Sequence, residues 1–122
     1  AIATSSTQNS FALKSTLHQD WFSLFTLIVT GGSDQEVEHG KPAPDIFQIT
    51  AKRLGVLPQN CIVFEDSPSG VEAAKSAGMI AIAVPDPRTD SSLYSHADLM
   101  LASLWEFEPQ SFGLPHWEKV ST

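Results

Sequence analysis

The chain has 122 residues and 42% hydrophobic content, enough for one folded domain with a modest core and too much for a disordered tract. Seven basic against fourteen acidic residues give a net charge of −7, which argues against a general nucleic-acid binder but leaves room for a phosphate ligand held by a local Lys, backbone N–H groups or a metal. One cysteine allows no internal disulfide, and the sequence shows no signal segment and no apolar run near ~20 residues, so the expectation is a cytoplasmic protein with no membrane partner.

Short apolar runs alternate with helical periods along the chain. Ala1 to Thr4 reads as the end of a strand already in progress. Phe11, Leu13 and Leu17 have helical spacing over Ser10 to Leu17, and Trp21 to Phe25 reads as a helical turn. Leu27-Ile28-Val29 is a second strand, ended by Gly31-Gly32. After a polar loop, Pro44 fits the first turn of a helix whose apolar face is Ile46, Phe47, Ile49, Ala51 and Leu54, with Gly55 as its stop.

Cys61 to Phe64 is a third strand and Ile80 to Val84 a fourth. Between them Val71, Ala73, Ala74 and Ala77 mark a small-residue helix closed by Gly78. Asp98 to Leu101 makes a short fifth strand, Pro85 to Ser95 reads as loop or weak helix, and Pro109 and Pro115 limit helix beyond Leu104. Helices between buried strands predict an α/β fold with a mostly parallel sheet covered on both faces, all within one domain over 1–122.

Three places carry chemistry. Cys61 to Phe64 delivers Glu65-Asp66 to a sheet edge beside the helix start at Ser67-Pro68-Ser69-Gly70, where open α/β sheets bind ligands. Two hard-oxygen carboxylates there suit a divalent cation such as Mg²⁺; the plainer alternative is a solvated strand end with Asp66 or Ser67 capping the helix. Thr4-Ser5-Ser6 follows the first strand, so its hydroxyls and N–H groups either hold a phosphate or cap a helix. Gly40-Lys41-Pro42-Ala43-Pro44-Asp45 either aims Lys41 into the same cleft or leaves it a solvated loop cation.

Other centres find no support. The four histidines lack zinc spacing, and no P-loop, Gly-x-Gly-x-x-Gly or Gly-x-Ser-x-Gly pattern occurs. Cys61 reads as an inert buried thiol. Trp21, Trp105 and Trp117, with Phe22, Phe25 and Phe107, read as core or sheet-edge packing.

In this order, Ala1-Ile2-Ala3-Thr4-Ser5-Ser6, Gly40 to Asp45, and Val63 to Ala74 continuing as Lys75-Ser76-Ala77-Gly78-Met79 resemble the haloacid dehalogenase superfamily of phosphohydrolases. Phe112-Gly113-Leu114-Pro115 is similar to the ending of its pseudouridine-5′-phosphatase group, with sugar-phosphate phosphatases and β-phosphoglucomutases similar in the other motifs. The resemblance implies a Rossmann-like three-layer αβα sandwich and a small phosphorylated metabolite as substrate. It implies that Thr4, with Ser5, binds the phosphoryl group, that Lys41 neutralises phosphate and nucleophile charge, and that Asp66, assisted by Glu65, holds Mg²⁺.

The family's nucleophile is the first Asp of an Asp-x-Asp pair on an N-terminal strand, and these 122 residues contain no Asp-x-Asp. Asp34-Gln35-Glu36 falls in the wrong motif order and is rejected. The nucleophile strand, which the family places between the strands ending at Thr4 and Asp66, and the helical cap are both unaccounted for. The expectation is therefore the C-terminal part of a phosphatase core, inactive by itself, with a cleft of loose geometry. Its unpaired strand edges predict self-association or a bound complementary N-terminal segment. The competing reading is a non-catalytic interaction module built on the same open edges.

Overall fold

The computed structural model describes residues 1–118. Its elements are β1 (Ile2–Thr4), α1 (Gln8–Ser15), α2 (Gln19–Phe22), β2 (Ile28–Thr30), α3 (Asp45–Leu54), β3 (Ile62–Glu65), α4 (Pro68–Ser76), β4 (Ile80–Ala83) and β5 (Leu99–Met100). Each predicted strand and helix is present, with ends shifted by up to three residues, the largest shift being at the Trp21–Phe25 turn, which ends at Phe22. Glycines 55 and 78 close α3 and α4 at φ of 71° and 79°, a left-handed conformation that only glycine adopts cheaply.

The sheet is parallel throughout but comes in two pieces. β1 pairs with β2, Ile2 opposite Ile28 and Thr4 opposite Thr30. β3 pairs with β4, Ile62 opposite Ile80, and β4 with β5, Ile82 opposite Leu99. No ladder joins β1 to β3. Instead a slot of about 490 Å³ separates them, lined by Ile2, Ala3, Ile62, Val63, Phe64 and Met79 among others. The gap lies where the family resemblance implies a further strand, and chain connections run outward from it on both sides: β1 leads to β2, β3 to β4 and β5.

One face of the sheet is packed by α3 and α4. Ile46, Phe47 and Ala51 of α3 join Val71, Ala73 and Ala74 of α4, with Ala81, Ala83 and Tyr94, in one buried cluster. Alternation along β4 turns Ile82 to the other face, where it meets Leu101 and Phe107. Over β3–β5 that second face is closed by 3₁₀ turns at Leu104–Glu106 and Pro109–Phe112, not by an α-helix. Pro109, read beforehand as a limit on helix, starts the second turn. Trp117 donates its indole N–H to the Phe107 carbonyl at 2.9 Å and ties the tail to this layer.

Two packing expectations need correction. Phe11 meets Phe22 edge-on at 5.2 Å, but Leu13 and Leu17 are 78% and 88% exposed. α1 therefore presents a narrower buried face than its leucine spacing implied. Trp105 is 92% exposed, because Phe107 takes the inward position at that 3₁₀ turn.

Candidate active site

Thr4, Ser5, Lys41, Glu65 and Asp66 all line one cleft of about 540 Å³, together with Ser67 and Ser69. Thr4 ends β1 and Glu65 ends β3, so the cleft sits at the carboxyl ends of the two strands that flank the gap. This is the point where connections diverge in opposite directions, the site that α/β sheets use for ligands.

Lys41 comes from the loop before α3 and crosses to both halves of the sheet. Its Nζ donates to the Ala3 carbonyl of β1 at 3.4 Å and makes a close ion pair with Glu65 Oε1 of β3. The two side chains are only 12% and 9% exposed. Nζ also lies 5.0 Å from the Phe47 ring centroid. The cleft is thus tied at its base by one ion pair, where loose geometry was expected.

Glu65 is held from the other side too. Ser67 Oγ lies 3.3 Å from Glu65 Oε2, and the same hydroxyl caps α4 by accepting the Gly70 N–H at 3.1 Å. Its carboxylate occupies the space that a β-carbon at Gly70 would need. Metal ligation by Glu65 must therefore compete with Lys41.

Asp66 is different. It is exposed on the cleft, and among the described residues nothing donates to its carboxylate. Its backbone carbonyl accepts the Tyr94 hydroxyl at 2.7 Å. No group of three or more His, Cys, Asp or Glu side chains gathers among the described residues. The donor set still fits Mg²⁺, which takes one or two carboxylates and fills its remaining positions with water and phosphate oxygens.

At β1, Thr4 Oγ1 accepts the Ser6 N–H at 3.2 Å, while the cap of α1 is Thr7, which accepts from Ser10 N–H at 3.1 Å. Thr4 and Ser5 are therefore not consumed by helix capping, and Ser5 remains on the cleft wall. The rejected Asp34-Gln35-Glu36 segment has a structural job: Arg53 Nη1 binds Asp34 at 2.6 Å and Nη2 binds Glu36 at 2.8 Å. Hydrogen bonding to that guanidinium holds the Asp34 carboxyl below its ordinary range. Cys61, expected to be buried, is only partly so and borders the slot; it donates to the Leu57 carbonyl at 3.5 Å, and partial burial pushes its thiol pKa up. Sequence reasoning missed Tyr94, because nothing in the spacing of a lone Tyr in a loop marks its partner.

A parallel sheet with hydroxyls, a tethered lysine and a free carboxylate at its switch point defines an α/β domain of the ligand-binding, open-sheet class. Residues 1–78 match the haloacid dehalogenase-like hydrolase family, and the chain belongs to it. It is 54% identical over 116 residues to a protein of Drosophila melanogaster named as a probable pseudouridine-5′-phosphatase, covering 93% of this chain and 50% of that one. It is 48% identical to (DL)-glycerol-3-phosphatase 1, mitochondrial, of Arabidopsis thaliana, over 96% of this chain and 40% of the relative. Among solved structures, a haloacid dehalogenase phosphatase from Thermococcus onnurineus superposes with a TM-score of 0.71 at 33% identity, covering 86% of this chain and 46% of that one. The chain spans about half the length of the curated relatives it matches. A shorter match, 54% identical over 39% of this chain and 26% of the relative, is to an Escherichia coli protein named as a fructose-1-phosphate phosphatase. No helix among the described residues is long and apolar enough to cross a membrane.

Proposed function

We propose that this chain supplies the phosphate-binding and metal-binding part of a Mg²⁺-dependent phosphatase acting on a small phosphorylated metabolite, pseudouridine 5′-phosphate or a sugar phosphate. The observation that carries the proposal is Lys41, fixed between Ala3 of β1 and Glu65 of β3 on the cleft that Thr4 and Asp66 share.

Thr4 and Ser5 offer hydroxyls to phosphoryl oxygens from one wall. Lys41 places a cation at the base, held in register by Glu65. Asp66 offers the carboxylate for Mg²⁺, which when bound neutralises charge on the phosphate oxygens. These are the positioning and electrostatic parts of phosphoryl transfer.

The covalent chemistry needs more than this chain holds. A carboxylate must attack phosphorus to give an aspartyl-phosphate while a second acid protonates the leaving oxygen, and water must then cleave the acyl phosphate. No Asp-x-Asp lies in these 122 residues to do so. The reading assigns that pair to a further strand seated in the slot between β1 and β3, as a complementary N-terminal segment. A reducing, cytoplasmic setting goes with the proposal, in keeping with the free Cys61.

The second reading, a non-catalytic module, is favoured by the same slot, since two facing unpaired strand edges also suit a partner's strand or a second copy. One experiment separates them. The 122-residue chain is assayed with Mg²⁺ and a phosphate monoester, alone and with a synthetic strand carrying Asp-x-Asp. Turnover only with the strand, lost in Asp66→Asn, supports the phosphatase; strand binding without turnover supports the module.

A further inference from the structure

We propose that Tyr94 is a positioning residue for Asp66, fixing the backbone from which the metal-binding carboxylate projects. The inference rests on the reading of Asp66 as a Mg²⁺ ligand.

Tyr94 is 1% exposed, in the same buried cluster as Val71, Ala74 and Ala83, and its hydroxyl donates to the Asp66 carbonyl at 2.7 Å. That carbonyl belongs to the peptide between β3 and α4. It lies outside the β3–β4 ladder, and the first helical bond of α4 is accepted one residue later, by the Ser67 carbonyl from Val71 N–H at 3.1 Å. The Tyr94 hydroxyl is its partner. Fixing that peptide plane sets the direction in which the Asp66 side chain leaves the backbone and the attitude of Ser67, which caps α4. It also directs the carbonyl oxygen to Tyr94.

The donor is itself firmly held. Asp90 caps the Ser91–Tyr94 turn by accepting the Ser92 N–H at 2.9 Å, and the Tyr94 carbonyl accepts the Ala97 N–H at 3.0 Å. Asp98 then exchanges bonds with Ala81 of β4: its N–H reaches the Ala81 carbonyl and its carboxylate accepts the Ala81 N–H, both at 2.8 Å. Lys75 of α4 binds the same carboxylate at 3.0 Å. Tyr94 thus ties the Asp66 peptide to a packed sheet, beside the Ser67 cap and the Glu65–Lys41 pair that hold its neighbours, the arrangement in which outer partners tune metal affinity.

The test titrates Mn²⁺, as a paramagnetic probe of the Mg²⁺ site, into the 122-residue chain and four variants compared by electron paramagnetic resonance: Tyr94→Phe, Asp66→Asn, Leu101→Val and Tyr94→Leu. Tyr94→Phe keeps the ring and removes the donor, so Mn²⁺ affinity falls about tenfold. Leu101→Val loosens the opposite face of the sheet and leaves affinity unchanged. Wild-type affinity in Tyr94→Phe, or an equal loss in Leu101→Val, overturns the positioning role.

Tyr94 is the chain's one tyrosine, so 3-fluorotyrosine labels it alone and reads the contact without any substitution. Its ¹⁹F resonance shifts on Mg²⁺ addition and stays still in Asp66→Asn; a resonance unmoved by Mg²⁺ that does bind overturns the inference even if Tyr94→Phe and Tyr94→Leu fail to fold. Absence of Mn²⁺ binding in the wild type, or binding that Asp66→Asn leaves intact, overturns the metal reading of Asp66 and the inference with it.

Discussion

The α-carbon of Gly70 lies beneath the carboxylate of Glu65, and a β-carbon there would fall on the carboxylate itself. Gly70 sits inside α4, where Ala is ordinarily better than Gly by about 1 kcal/mol. Here the contact reverses the sign. We expect Gly70→Ala to lower stability by about 1–3 kcal/mol, the range for overpacking, as Glu65 is driven off Lys41. Urea denaturation decides it: a gain in stability refutes the account. In a Glu65→Ala background the substitution recovers its helical benefit, which a double-mutant cycle reads as coupling.

Lys41→Met removes the cation from a pair whose members are nearly enclosed. Breaking such a pair from one side costs about 3–5 kcal/mol, because a buried charge is left uncompensated. The double variant Lys41→Met with Glu65→Met restores most of that loss. Equal instability of single and double variants by chemical denaturation would place the value of Lys41 elsewhere.

Asp66→Asn should leave stability within about 0.5 kcal/mol of wild type, as for surface changes away from special contacts, because nothing among the described residues donates to its carboxylate. Its effect is confined to divalent-cation binding and to strand-restored turnover. A large drop in melting temperature would mean that the carboxylate is structural.

Asp98 carries a pH prediction. Its carboxyl lies below the ordinary value of 3.8, chiefly because it accepts the Ala81 N–H, with Lys75 adding to the same effect. A depressed folded-state pKa stabilises the fold above the unfolded-state value and loses that contribution as pH falls through the folded one. Asp98→Asn is therefore less stable than wild type at neutral pH, and the two stability curves converge below about pH 4. Curves that stay parallel down to acid unfolding would exclude Asp98 as a contributor.

Much of this was legible in the sequence because burial leaves a periodic trace. The runs at Ile62 to Glu65 and Ile80 to Ala83, and the small-residue face of α4, each record contact with a neighbouring layer. The convergence of Thr4, Lys41, Glu65 and Asp66 was legible for a related reason: each stands at a strand end or feeds a helix start. Bonds that join distant segments leave no such trace. The Lys41 bridge across the gap, the clamp of Arg53 on Asp34 and Glu36, and the Tyr94 hydroxyl on Asp66 depend on where long side chains end in space. Exposure of Leu13, Leu17 and Trp105 was hidden as well, since an apolar residue on a short element marks a capacity for burial, not the presence of a partner.

Phe64 borders both the slot and the cleft, and its ring meets Phe107 edge-on at 4.9 Å, which in turn lies 6.3 Å from Trp117. Three aromatic rings thus run from the sheet gap to the tail, ending in a fluorophore. A segment entering the slot would meet the first ring directly, and we expect the last to register it. The emission of Trp117, isolated by replacing Trp21 and Trp105 with Phe, is therefore expected to follow strand docking in real time without any attached dye.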